Sequence, residues 1–182
     1  MKELSLNVLD VAENSVRANA TLVEIEVLEN TKRDLMTIRI ADDGKGMDEE
    51  FLAQVTDPFT TTRTTRKVGM GIPLFKEAAE ATGGTFQIKS QVGKGTEVYA
   101  TFTYSHIDRM PLGDMAGTVS TLVQCNPDID FLYRHTFNDK SFTFDTREIR
   151  ETLDGVPLSE PDVVFWVKGF LEENINQLYG GI

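Results

Sequence analysis

Three side chains near the start of the chain are spaced for chemistry. Asp10, Asn14 and Arg17 stand four and seven positions apart, so on a helix they share one face. A carboxylate and a carboxamide one turn apart can polarise a water and offer oxygen to Mg²⁺, a hard cation that prefers oxygen ligands. By itself such a triplet is most often a solvated helix face. A second group is Ile40-Ala41-Asp42-Asp43-Gly44-Lys45-Gly46-Met47. A carboxylate at a strand end can accept a hydrogen bond from an amino group at the floor of a cleft, and flanking glycines let backbone pass close to a planar ligand. An ordinary Asp-Gly turn explains the same residues as well. The third group, residues 57–71, carries Arg63, Arg66 and Lys67, five threonines, and Gly69 and Gly71. Amides at a helix start face an anion, helped by the helix dipole. The run lacks the Walker spacing, so it is not a P-loop. The fourth, Ser90 to Val98, reads alone as a hairpin.

These groups need elements to hold them. Leu9, Ala12 and Val16 recur at helical spacing and predict a helix over 3–19. Val23, Ile25 and Val27 alternate with Glu24 and Glu26, and Met36, Ile38 and Ile40 alternate likewise, which predicts two half-buried strands joined by a turn over 30–34. A short helix starts at Asp48. A longer one covers 71–81, with Pro73 in its first turn and Gly83-Gly84 closing it. Strands over 85–91 and 96–104 flank the Val92-Gly93-Lys94-Gly95 turn. The order predicts a two-layer α/β (α+β) sandwich with helices on one face of a largely antiparallel sheet. Beyond Tyr104 the pattern changes. We place a boundary there, giving a domain over 1–105 and a small C-terminal α+β appendage over 106–182. In the appendage, helices are expected over 113–125, 147–153 and 162–178, with strands over 131–137 and 141–145.

Composition narrows the partners. The 182 residues carry 18 Lys and Arg against 29 Asp and Glu, a net charge of −11. Residues 1–105 hold a net of −4 and residues 106–182 a net of −7. An acidic chain makes nucleic acid and anionic membranes poor partners. No apolar run approaches the roughly 18–20 residues that span a bilayer. One cysteine, Cys125, forbids an intrachain disulfide. With no signal-peptide pattern at the start, the expectation is a cytoplasmic protein.

Taken together, the four groups resemble the motifs of the GHKL ATPase superfamily, which joins gyrase, the large heat-shock chaperone, histidine kinases and MutL. The resemblance covers residues 3–104. Glu13 to Ala20 is similar to the MutL N box, and Lys67–Glu97 to the ATP-binding domain of sensor histidine kinases. The resemblance implies the Bergerat ATP-binding fold, with ATP and Mg²⁺ as ligands. By position it implies that Asn14 ligates Mg²⁺ under the triphosphate and that Asp42 hydrogen-bonds the adenine amino group. Gly44 and Gly46 would be the glycines beside the base, with Met47 packing near it. Thr96 would share the adenine-bound water. Gly69, Met70 and Gly71 would lie at the phosphates, with Thr62, Arg63, Arg66 and Lys67 on the lid and Arg17 nearby. Asp10 falls on the catalytic base, where the family usually has glutamate. Being one methylene shorter it reaches less far toward a water, so hydrolysis is expected to be slow. Asp43 stands where asparagine is common and is expected to add negative charge near the nucleotide.

The resemblance implies a stand-alone, histidine-kinase-like protein kinase or ATP-dependent regulator in signal transduction, acting on a separate protein partner or phosphoacceptor. A homodimer stays open. The alternatives are a MutL-like nucleotide-gated binding module and a pseudo-ATPase scaffold. Ser105-His106-Ile107-Asp108 superficially resembles a phosphoacceptor box, but the acid usual after the histidine is missing, so His106 reads as a linker residue. His135, among Phe131, Tyr133 and Phe137, reads as a structural strand residue. Phe165, Trp166, Val167, Phe170 and Leu171 form an apolar helix face expected to be core.

Overall fold

The computed structural model describes residues 3–56 and 71–181. The chain enters as α1 (Leu4–Arg17), then β1 (Leu22–Asn30), β2 (Leu35–Asp42) and the short α2 (Glu49–Val55). After 57–70 come α3 (Gly71–Glu80), β3 (Phe86–Gln91) and β4 (Gly95–Thr103). The remainder is α4 (Met115–Cys125), β5 (Asp130–Phe137), β6 (Lys140–Asp145), α5 (Thr146–Leu153) and α6 (Pro161–Leu178). Each matches an element expected from periodicity to within a residue or two.

Six strands form one sheet in the order β3-β4-β2-β1-β5-β6. Every pairing is antiparallel except β1 with β5, which run parallel from Leu22↔Asp130 to Glu29↔Phe137. A parallel neighbour requires a crossover, and α4 is the helix that carries the chain from β4 back to β5. Alternation divides the sheet into two faces. Val23, Ile25, Ile38, Ile40, Ala100 and Phe102 are buried on one face, beneath the helices. The other carries an ionic ladder, with Arg39 bound to Glu97 at 2.8 Å and to Glu26 at 3.3 Å. The protein is thus the expected two-layer α/β sandwich.

The composition changes near residue 105, yet sheet and core run on across that point. One cluster of buried apolar residues joins Leu4, Val8 and Phe75 to Val119, Phe131 and Leu171. The start of α1 is stitched to the later segment by backbone bonds from Leu4 N to Pro111 O and Ser5 N to Leu112 O. The starts of α2, α4 and α5 are capped by carboxylates: Asp48 accepts from Phe51 N at 2.7 Å, Asp114 from Gly117 N at 2.8 Å and Asp145 from Arg147 N at 2.9 Å. Such caps satisfy amides that the helix leaves unpaired. The apolar face expected of α6 is only partly core. Val167 and Leu171 are buried, whereas Phe165 is 83% and Trp166 52% exposed.

Candidate functional site

The site grows from the C-terminal half of α1 and the ends of β2 and β4. Ser15 lies on the buried side of α1, and its Oγ donates to Asp42 Oδ2 at 2.6 Å. Gly44 N donates to the other oxygen, Oδ1, at 2.8 Å. The Asp42 carboxylate is thereby held from two sides at the end of β2. A carboxylate has about four acceptor positions, so capacity remains where it lines a cavity. Thr96 is opposite Asp42 in the β2–β4 register. Its hydroxyl lies 2.7 Å from Ser90 Oγ, which also accepts from Met47 N at 2.8 Å. Ser90 thus ties the loop after β2 to the β3–β4 hairpin. Gly46 completes that tie. Its φ is +72°, and a Cβ there would run into the Gln91 carbonyl. Both the left-handed backbone and the close approach require glycine. Gly44 packs against Ala18, where a Cβ would stand 2.7 Å from the carbonyl oxygen.

These parts enclose a cavity of about 580 Å³, within the range of small-molecule sites. Asp42, Thr96 and Asn14 supply polar lining. Ile40, Val98 and Ile72 supply an apolar bed. Arg17, Gly46 and Met47 also line it, as do Lys45, Phe51 and Val92. Such a slot suits a flat heterocycle with an amino group turned toward Asp42.

Asn14 points two ways. Its Oδ1 accepts from Arg17 Nη1 at 3.0 Å, and its Nδ2 is buried without a hydrogen-bond partner among the described residues. An unsatisfied buried amide costs about 1–3 kcal/mol, and a ligand oxygen would relieve it. Arg17 also lies 3.7 Å from Glu13. Asp10 is on the same helix but is not among the cavity-lining residues. It faces the first residue of α3, where a Cβ on Gly71 would stand 2.9 Å from Asp10 Cβ. Burial pushes the Asp10 carboxyl up from the ordinary carboxylate value, and Arg17 pulls partly the other way.

The structure therefore brings Asn14, Arg17, Asp42, Gly46, Met47 and Thr96 to one cavity, with Gly44 supporting it and Asp10 and Gly71 meeting beside it. Thr62, Arg63, Arg66, Lys67, Gly69 and Met70 lie outside the described residues. The charge expected of Asp43 is engaged within the protein. Its carboxylate turns to the start of β1 and accepts from Thr21 N at 2.7 Å, the Thr21 hydroxyl, and Leu22 N at 3.0 Å. Burial raises this carboxyl, but those hydrogen bonds outweigh it and leave it below the ordinary value. It is a clip between two strands. Ser15 and Ser90 were missed as positioning residues. A serine on the buried side of a helix needs a partner, which was the available signal.

Among the described residues no group of three or more His, Cys, Asp or Glu side chains is placed to hold a metal ion. The donor set fits Mg²⁺ only in the mode where phosphate oxygens supply most ligands and a single side-chain oxygen, from Asn14, completes the set. Among those same residues, no helix is long and apolar enough to cross a membrane.

With this geometry, comparison with known proteins is direct. Residues 2–106 match the model of the histidine kinase-, DNA gyrase B- and HSP90-like ATPases. The chain belongs to that family. Among curated relatives, the non-motile and phage-resistance protein of Caulobacter vibrioides is 30% identical over 115 residues, covering 60% of this chain and 14% of that protein. The sensor protein kinase FleS of Pseudomonas aeruginosa is 35% identical over 89 residues, covering 49% of this chain and 22% of that protein. The chain thus spans between about a seventh and a fifth of the length of these relatives. A solved structure, the N-terminal domain of a DNA repair protein, superposes with a TM-score of 0.52 at 15% identity, over 80% of this chain and 52% of that one. At that identity the likeness is one of fold.

Proposed function

We propose that the chain binds ATP with Mg²⁺ in this cavity and acts as a histidine-kinase-like phosphotransfer domain toward a separate protein in signal transduction. The observation that carries the reading is the Asp42 carboxylate, fixed by Ser15 and Gly44 at the wall of an apolar slot. An acceptor fixed there recognises the exocyclic amino group of adenine, while Thr96 stands across from it to share a bridging water. Asn14 and Arg17 occupy the side where a triphosphate would leave the slot. Mg²⁺ would be held by Asn14 and the phosphate oxygens, and it supplies charge neutralisation. In phosphoryl transfer the protein mainly positions the nucleotide and neutralises charge. The bond from the γ-phosphorus to the β–γ bridging oxygen breaks, ADP leaves, and a bond forms to a nucleophile on the acceptor protein. Asp10, set back against Gly71 and short by one methylene, is poorly placed to activate water, which favours transfer over hydrolysis.

The contact between Gly71 and Asp10 also favours a second reading, a nucleotide-gated binding module. The start of α3 presses on α1 there, so a shift at one is felt at the other. Labelled ATP separates the two. Label on a candidate partner protein, lost in Asn14→Ala, supports the kinase. A partner affinity that changes with ATP, without label, supports the gate. Both require that ATP raise the melting temperature: at 100-fold excess over Kd it should add about 2.7 kcal/mol. No shift, in a protein whose Asp42→Asn variant behaves identically, would overturn both readings and leave a scaffold.

A further inference from the structure

The exposed side of α6 carries an arrangement that internal packing does not explain. Phe165 and Trp166 are 83% and 52% exposed. The Trp166 ring stacks on Phe170 with centroids 5.1 Å apart and planes 17° from parallel. Phe170 in turn rests on Phe142 and Phe144 of β6. The platform is therefore seated on β6 although its upper surface is open. Gly169 lies beside it, one turn after Phe165 and Trp166. A Cβ there would meet nothing within 4 Å, so no contact among the described residues calls for glycine. A glycine in the middle of an exposed helix is less stable than alanine. What it provides is a notch between aromatic side chains, where another backbone can approach closely.

Charge selects the occupant. Glu160 and Asp162 are exposed at the start of the helix, and Glu172 and Glu173 are exposed toward its end. The face is thus apolar in the middle, with one exposed cation, Lys168, at its margin, and acidic at both ends. A second copy of this chain would set acid against acid in either orientation, and residues 106–182 already carry a net of −7. An anionic lipid surface is repelled for the same reason. We propose that this face docks an amphipathic helix of another protein, with apolar anchors for the Phe165–Trp166–Phe170 platform and Lys or Arg at both flanks. Helix-in-groove recognition of this kind combines apolar anchors with charge matching that sets partner choice. The proposal does not depend on nucleotide binding, because the main packing of α6 is on α4, β5 and β6.

Trp166 is the chain's only tryptophan and so reports on this face alone. The test titrates the full chain with synthetic helical peptides of about five turns, bearing a leucine ridge and either lysine or glutamate flanks. The lysine-flanked peptide should give a saturable blue shift of Trp166 emission, at least about tenfold tighter than the glutamate-flanked one and weakening with salt. Gly169→Leu and Phe165→Ser should each weaken it about tenfold or more, while Gly169→Ala should raise the melting temperature of the free chain. Circular dichroism melts check that each variant is folded. Equal binding of both peptides, or binding indifferent to Gly169→Leu, would overturn the proposal. So would a Trp166 shift caused by anionic vesicles, or a dimer in sedimentation that Phe165→Ser breaks apart.

Discussion

Two polar clusters sit near opposite ends of the central strands, and they are built on opposite plans. At one end Asp42 is held by Ser15 and Gly44 and borders an open cavity. At the other, six residues along β1 and so about 20 Å away, Glu29 and His135 are sealed at 4% and 0% exposure. His135 Nε2 lies 2.7 Å from Glu29 Oε2, and His135 Nδ1 lies 2.6 Å from the Tyr133 hydroxyl. Tyr179, just past α6, donates to Glu29 Oε2, and Tyr104 approaches Glu29 Oε1 at 3.4 Å. Every side chain of that cluster finds its partner within the protein, and it joins segments more than a hundred residues apart. Among the described residues the Asp42 cluster keeps acceptors unused, and nearby Asn14 keeps an unused donor. A satisfied buried network holds a fold together, whereas a partly satisfied one beside a cavity is free to hold a ligand.

Mutations can break that contrast. Glu29→Ala strips the sealed cluster of its central acceptor and leaves His135 and two tyrosines short of a partner. It should cost about 3 kcal/mol in urea unfolding, with the ATP affinity of the folded protein unchanged. Asp42→Asn should do the reverse: the roughly 2.7 kcal/mol that saturating ATP adds disappears from the thermal shift, while the unliganded melt moves little. Ser15→Ala tests whether the open cluster needs its support. It should cost about 1 kcal/mol of stability and weaken ATP binding about tenfold by calorimetry, since Asp42 loses the donor that orients it.

The smallest effect lies at alkaline pH. Burial, then the hydrogen bond and charge of Glu29, push the Tyr179 hydroxyl well above the usual phenol value, and Tyr133 is likewise raised by burial, then by Tyr179 and Glu29. Native tyrosines that keep their protons where unfolded ones lose them stabilise the fold fully below about pH 10, and that contribution fades as pH rises beyond it. The melting temperature of the wild type should therefore fall more steeply above about pH 10 than that of Tyr179→Phe. Parallel curves would mean that Tyr179 is not part of the sealed cluster.

Much of this was legible in the residues. Alternation in 23–27 and 36–40 and helical spacing in 3–19 are local patterns, and local backbone preference decides them. The chemistry-bearing residues Asn14, Asp42 and Gly46 were identifiable from type and spacing, and Thr96 from the family resemblance alone; the structure gathers all of them at one cavity. What tertiary structure alone decided are pairings across long separations. Asp43 has the same charge as Asp42 and follows it directly, but it is the first residue beyond β2, and there its carboxylate turns to the start of β1 while that of Asp42 faces the cavity. Ser15 gained its role because α1 crosses the end of β2. His135 was read as structural, yet its partners Glu29 and Tyr179 became apparent only once β5 lay parallel to β1. The aromatic face of α6 was read as core because periodicity shows that a face is apolar, not whether anything covers it. The sequence by itself determined which segments are helix and strand and which side chains could hold a nucleotide. Only the tertiary structure decided which polar groups satisfy one another and which stay open, because that depends on what chain folding brings opposite each of them.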